Sequence, residues 1–282
     1  MRQHPRVPRM ISLDMISLES GRGVLVVGHG TANRGGADET RCLAGLVADQ
    51  LPGVPVELGF LEVIGPTIAE AVGRLAARGV REVVAAPLLL FTAGHARRDV
   101  PEAVTAAAAT HRIRVRQSES LGMHPDLVAL ARRRRQEAVG DLPHVPAAET
   151  ALVVMGRGAS DPTAPGQLRE FVEATLAAEA TRPAHVLQGF AAAARPTLDE
   201  AVAMAASLPG VRRVVVQPHL LFQGHVLDQV ATAVATARRA RPELEWIEVG
   251  RLGTDPLVAR SVVDRVAEAA AGFRDVGAVC GP

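Results

Sequence analysis

Two histidines and one glutamate stand where a few side chains could handle a metal ion and protons together. His29 lies in Gly28-His29-Gly30, directly after an apolar run. Glu62 closes Gly59-Phe60-Leu61-Glu62, and His95 follows Phe91-Thr92-Ala93-Gly94. Two imidazoles and a carboxylate suit a borderline divalent ion such as iron, cobalt, nickel or zinc. The same groups exchange protons near neutral pH. Asp99, four residues beyond His95, would share a helical face with it and could orient the imidazole as a hydrogen-bond acceptor. Taken singly, each residue has a plain structural use as a turn, a cap or a solvated charge, and the glycines as a tight turn. Their placement at the ends of three successive apolar runs is what makes them a set.

Composition removes several competing chemistries. All 31 basic residues are arginine, so a lysine Schiff base and a lysine-dependent phosphate loop are both impossible. With no tyrosine, phenolic acid–base catalysis is excluded as well. The formal charge is only +1, which argues against a nucleic-acid binder. The one dense basic block, Arg132–Arg135, reads as a solvated helix face. Cys42 and Cys280 form no CxxC motif and no disulfide framework, which points to a reducing, cytoplasmic setting. No apolar run reaches the roughly 18 residues of a membrane span, so no membrane association is expected. Residues 1–22 are expected to be a flexible tail without the apolar core of a signal peptide, and Met10 and Met15 are alternative starts.

The elements that must position these residues occur twice. Gly23–Gly30 (GVLVVGHG) is echoed by Ala151–Gly158 (ALVVMGRG), and Gly59–Val72 (GFLEVIGPTIAEAV) by Gly189–Val202 (GFAAAARPTLDEAV). Val83–Phe91 (VVAAPLLLF) returns as Val214–Phe222 (VVVQPHLLF), and Leu121–Leu127 (LGMHPDL) as Leu252–Val258 (LGTDPLV). The order is preserved and the offset stays at 128–131 residues, which marks a duplication. Residues 23–140 then form one domain, 141–150 a proline-bearing linker, 151–272 the second domain and 273–282 a tail.

Within each copy, short apolar runs alternate with helical patterns. Strands are expected at 24–27, 55–61, 82–90 and 113–117, and helices near 37–51, 66–78, 97–110 and 125–139. Pro66 is expected in the first turn of its helix. Strands this apolar imply an α/β fold with parallel sheets covered on both faces. Ligands of such sheets bind beyond the carboxyl ends of the strands. Two copies would set two such edges across a cleft sized for a large ligand.

The second copy serves as an internal control. There His29 becomes Arg157, Glu62 becomes Ala192, and only His95 keeps a counterpart, His225. Arg157 suits carboxylates of a ligand through bidentate contacts. His225 and His219 could line the cleft or simply pack.

Together VVGHGT, GFLE with PTIAEAV, and PLLLFTAGHARRDVP resemble the sirohydrochlorin chelatases of the CbiX/SirB type, within the class II chelatases. The resemblance runs from Gly23 to about Ala271, and the second copy, with GRGASDP and LLFQGH, is similar to the C-terminal half of the long, duplicated form. It implies two Rossmann-like lobes with a macrocycle between them. It also implies insertion of Co²⁺ or Fe²⁺ into sirohydrochlorin on the way to cobalamin or siroheme. His29, Glu62 and His95 would then be the catalytic residues and the metal ligands. Arg157, Arg97, Arg98 and His225 would bind the carboxylate-rich substrate, and the metal would be a substrate rather than a prosthetic group. One duplicated chain could close its own cleft, so a monomer is expected. Arg157 and Ala192 depart from the short symmetric members, and Cys280 alone cannot hold an iron–sulfur cluster.

Other readings remain open at this stage. A histidine phosphatase would need arginine where Gly28 stands, and no GxGxxG follows the first apolar run for a nucleotide. A non-enzymatic tetrapyrrole or metal carrier would use the same cleft.

Overall fold

In the computed structural model, residues 21–91, 98–159, 161–177 and 179–273 are described. The first repeat forms β1 (Arg22–Gly28), α1 (Arg34–Asp49), β2 (Val56–Phe60), α2 (Ile68–Ala77), β3 (Glu82–Pro87), α3 (Asp99–His111), β4 (Arg114–Gln117) and α4 (Pro125–Val139). The second forms β5 (Thr150–Gly156), α5 (Ala164–Ala177), β6 (His185–Phe190), α6 (Leu198–Ser207), β7 (Arg213–Pro218), α7 (His225–Ala240), β8 (Glu245–Glu248) and α8 (Pro256–Ala271). The two parallel four-stranded sheets run in the orders β2-β1-β3-β4 and β6-β5-β7-β8. The expected α/β architecture of parallel sheets flanked by helices is therefore the one found.

Local sequence accounts for most boundaries. β1 and β5 are the most apolar runs, and they occupy the sheet interior with a neighbour on each side. Asn33 caps α1 through its side chain, and Thr67 and Thr197 cap α2 and α6 in full capping boxes with Glu70 and Glu200. Pro66 precedes the cap instead of lying in the first turn, because the threonine side chain satisfies the helix's first N–H groups. β3 stops at Pro87, short of residue 90. Beyond it the chain turns, and the Leu89 N–H donates to the Pro87 carbonyl.

The packing joins the repeats. One face of the first sheet is covered by α2 and α3, and the matching face of the second by α6 and α7. On the opposite faces the last helices cross over. α8, from the second repeat, packs on α1, β3 and β4 of the first, where Val258, Ala259, Val262, Val266 and Ala270 are at most 1% exposed. α4, from the first repeat, packs on α5 and β8 of the second. One continuous apolar core therefore runs from β1 through α4 to α8.

This crossing overturns the expectation of a solvated arginine face. α4 lies between α5 and α8, so its basic run has partners from the other repeat. Arg133 and Arg134 pair with Asp255, and Arg135 is buried with Glu179 at 2.6 Å.

Candidate active site

The sheet order brings the exits of β2, β1 and β3 side by side, with β1 in the middle. Neighbouring parallel strands lie about 4.8 Å apart, so side chains at these exits fall within reach of one another. His29 is the first residue past β1, and its Nε2 lies 3.1 Å from Oε1 of Glu62. The imidazole is about one-quarter exposed and the carboxylate about half, so the pair faces outward rather than into the core.

The backbone builds this pairing. Leu61 N–H donates to the Gly28 carbonyl at 2.9 Å, and Glu62 N–H donates to the His29 carbonyl at 3.1 Å. These bonds extend the β1–β2 ladder past both strand ends and draw the two residues together. Gly30 turns away with φ +99°, and a Cβ there would collide with the Glu62 carbonyl oxygen. Val63 takes a left-handed conformation at φ 69°, which bends the chain back toward Pro66.

The second repeat has the same cradle with different side chains. Ala191 N–H donates to Gly156 and Ala192 N–H to Arg157, both at 3.1 Å. Gly158 has φ +81° and meets the Ala192 carbonyl as Gly30 meets that of Glu62, and Ala193 has φ 54°. Arg157 and Ala192 are both exposed, and no carboxylate stands opposite Arg157 in this cradle.

The remaining expected residues fall in several places. His95 and Arg97 lie outside the described residues, as does Cys280. Arg98 is exposed at the N-terminus of α3, and Asp99 is that helix's first residue. The expected helical face shared by His95 and Asp99 falls partly on residues 92–97, outside the described residues. His225 opens α7 with its ring exposed, 3.3 Å from the Gln229 side-chain nitrogen. His219 is buried, and its ring lies 4.1 Å from that of Phe171 and 4.9 Å from that of Phe91. That burial pushes its pKa down to about 3, so the ring is neutral.

Carboxyl-side loops of the two repeats meet. Glu39, near the start of α1, accepts the Gln223 backbone N–H at 2.7 Å and pairs with Arg251 beyond β8. A Cβ on Gly36 would collide with the Gln223 carbonyl, so the two loops are in close contact. Phe91, beyond β3, reaches Phe171 and His219 of the second repeat. Loops beyond the carboxyl ends of both sheets are therefore in contact. The sequence reading missed these contacts, because Glu39, Gln223 and Arg251 carry no local motif.

A second cluster is formed by His124, Asp126 and Asp264, with possible ligand atoms all within 4.8 Å of one another. Both oxygens of Asp126 are held by Arg260, and His124 caps α4 with its Nδ1 3.1 Å from the Ser261 hydroxyl. Burial lowers the His124 pKa, while Asp126 and Asp264 oppose the shift. The donors are already engaged, which makes the cluster a helix cap and an inter-repeat ion pair.

The geometry can be set beside known proteins. The chain is 28% identical over 248 residues to a sirohydrochlorin cobaltochelatase of Priestia megaterium, covering 88% of this chain and 79% of that protein. It is 28% identical over 253 residues to a sirohydrochlorin ferrochelatase of Bacillus subtilis, covering 89% and 92%. The solved structure of SirB from Bacillus subtilis with Fe³⁺ superposes with a TM-score of 0.78 at 24% identity, over 90% of this chain and 97% of that one. The CbiX family profile matches residues 23–138 and again 151–269, once for each repeat. By that double match the chain belongs to the CbiX family.

Proposed function

We propose that this chain inserts Co²⁺ or Fe²⁺ into sirohydrochlorin, a metal-chelatase (lyase) reaction, with the chemistry confined to the first repeat. The observation that carries the reading is the His29–Glu62 pair at 3.1 Å, held by backbone bonds at the carboxyl edge of a CbiX-family fold. The relatives named as cobaltochelatase and ferrochelatase support the substrate class.

Metallation removes two pyrrole protons while the incoming ion sheds water. In this reading His29 and His95 hold the ion or accept a proton, with Glu62 as third ligand or base. An imidazole coordinates only through an unprotonated nitrogen, so insertion should fall at acid pH. The partial exposure of His29 and Glu62 suits a site that receives a large planar ligand from outside. Arg157, Arg97 and Arg98 would pair with the macrocycle's carboxylates at the rim, and His225 would add a donor there. A groove of about 830 Å³ between α6 and α7 adjoins His225, but Asp199 and Asp228 line it. Two carboxylates disfavour a polyanionic macrocycle, so the reading puts sirohydrochlorin at the strand-end edges and not in that groove. Because both edges belong to one chain, a monomer suffices.

The test is anaerobic spectrophotometry of the purified protein with sirohydrochlorin, offering Co²⁺ and Fe²⁺ separately. Conversion above the metal-only rate, lost in His29→Ala and His95→Ala, is expected and would rank the two ions. Macrocycle binding without acceleration by either ion would replace the enzyme with a carrier.

A further inference from the structure

The first repeat sends a phenylalanine into the second. Phe91 and Phe222 occupy equivalent places just beyond β3 and β7. Phe222 packs against the core cluster that contains Leu43 and Leu88 of the first repeat. Phe91 meets Phe171 and His219, which stand in the second repeat where Leu43 and Leu88 stand in the first. The phenylalanine of the copy that carries the His29–Glu62 pair lies against two flat rings, and among the described residues Phe222 has no such ring pair.

The contact is a stack and not a loose apolar touch. The His219 ring is tilted 33° to Phe91 and 44° to Phe171, and Phe91 meets Phe171 edge-on at 76° with centroids 6.5 Å apart. Such rings resist sliding more than leucine side chains, because their quadrupoles favour particular offsets. His219 is 4% exposed, and its Nε2 finds no hydrogen-bond partner among the described residues. The imidazole stands where the sister repeat has Leu88, and what it adds there is a flat ring against Phe91 and Phe171. Backbone bonds do not explain the difference. Leu121 and Gly122 donate to Leu89 and Leu90 just as Leu252 and Gly253 donate to Leu220 and Leu221.

We propose that Phe91, His219 and Phe171 form an inter-repeat clamp that fixes the exit of β3, and that His219 and Phe171 are thereby positioning residues for metal insertion. The inference rests on the proposed function, in which His95, four residues after Phe91 in the sequence, acts together with His29 and Glu62. It also assigns the second repeat a task, since it supplies two of the three rings.

The test compares His219→Leu, which restores the first repeat's residue, with His219→Phe, which keeps a ring, and Phe222→Leu, which alters the sister contact. His219→Leu should lower kcat for insertion about tenfold while leaving KM for the metal unchanged, as expected when reacting groups are misplaced and binding is intact. His219→Phe should recover most of the rate, and Phe222→Leu should keep kcat within about twofold. Hydrogen exchange by mass spectrometry should show faster exchange over Leu88–Phe91 in His219→Leu and not in Phe222→Leu. Wild-type kcat and exchange in His219→Leu, or an equal kcat loss in Phe222→Leu, would overturn the clamp. If the wild-type protein inserts no metal, the functional reading fails, and exchange over Leu88–Phe91 alone decides the clamp.

Discussion

At the exits of β1 and β5 the backbone follows the same path twice, with the same ladder-extending bonds and the same left-handed glycine. What it presents differs. One copy shows an imidazole against a carboxylate, and the other an arginine against an alanine. The interiors differ in the opposite sense. Where Val47, Ala86, Leu88 and, from the crossing α8, Val266 are buried on the first sheet, the second sheet has Thr175, Gln217, His219 and, from the crossing α4, Arg135. Arg135 there contacts Glu179, Gln217 and Thr175, and Gln217 returns a bond to the Ala131 carbonyl at 2.7 Å. At these four positions the sheet with His29 and Glu62 at its edge is backed by aliphatic side chains, and the sheet without them by polar ones. The comparison teaches that one backbone path, used twice, carries different side chains at its edge and in its interior. A buried polar network also gives the crossing helices an address. Arg135 finds Glu179 and Gln217 on the second sheet, the sheet on which α4 packs.

The strongest way to break this comparison is to remove the buried cation. Arg135→Ala leaves Glu179 without its partner and should cost about 3–5 kcal/mol, read from the midpoint of urea unfolding. Val266→Ala, its counterpart, should cost only about 2 kcal/mol. Equal losses would show that the polar network has no special standing. Next in size is the edge chemistry. His29→Ala should reduce insertion about 10²-fold in kcat, whereas Arg157→Ala should raise KM for sirohydrochlorin and leave kcat near wild type. A kcat loss of similar size in both would mean that the second edge shares the chemistry.

Smaller effects sharpen the likeness of the two cradles. Gly30→Ala and Gly158→Ala should each cost more than about 1 kcal/mol and by similar amounts, since both put a Cβ on a left-handed backbone against a carbonyl. Insertion per folded molecule should suffer only in the first. Smallest is the pH response of His219. Its folded pKa of about 3 lies below the ordinary 6.5, so between those values the unfolded chain binds a proton that the folded chain does not. Its contribution is fully present above pH 6.5 and declines as pH falls toward 3. From pH 6.5 to 5.5 the wild type should lose about 1 kcal/mol more than His219→Leu. Parallel acid limbs in the two proteins would contradict a buried neutral imidazole.

Much of the fold was legible because its signals are local. Apolar runs bounded by Gly-His-Gly and Gly-Phe-Leu-Glu marked strands, Pro66 marked the neighbourhood of a helix start, and the repeated order gave the architecture. His29 and Glu62 were legible as a pair because each sits at a strand end, where a parallel sheet exposes side chains to ligands. The arginine run misled for a related reason. Four successive charges normally mean solvent, and nothing near Arg135 in the chain shows that α4 is enclosed on both sides.

The sequence by itself determined the duplication, the α/β class and the split between a copy with a histidine and a glutamate and a copy without, because these are matters of residue type and spacing. Only the tertiary structure decided that β1 lies between β2 and β3, which puts those strand exits side by side. It alone decided that α4 and α8 trade sheets and that Phe91 ends between Phe171 and His219. Those outcomes depend on which apolar faces bury each other across well over a hundred residues of chain, and no local period or spacing encodes such a choice.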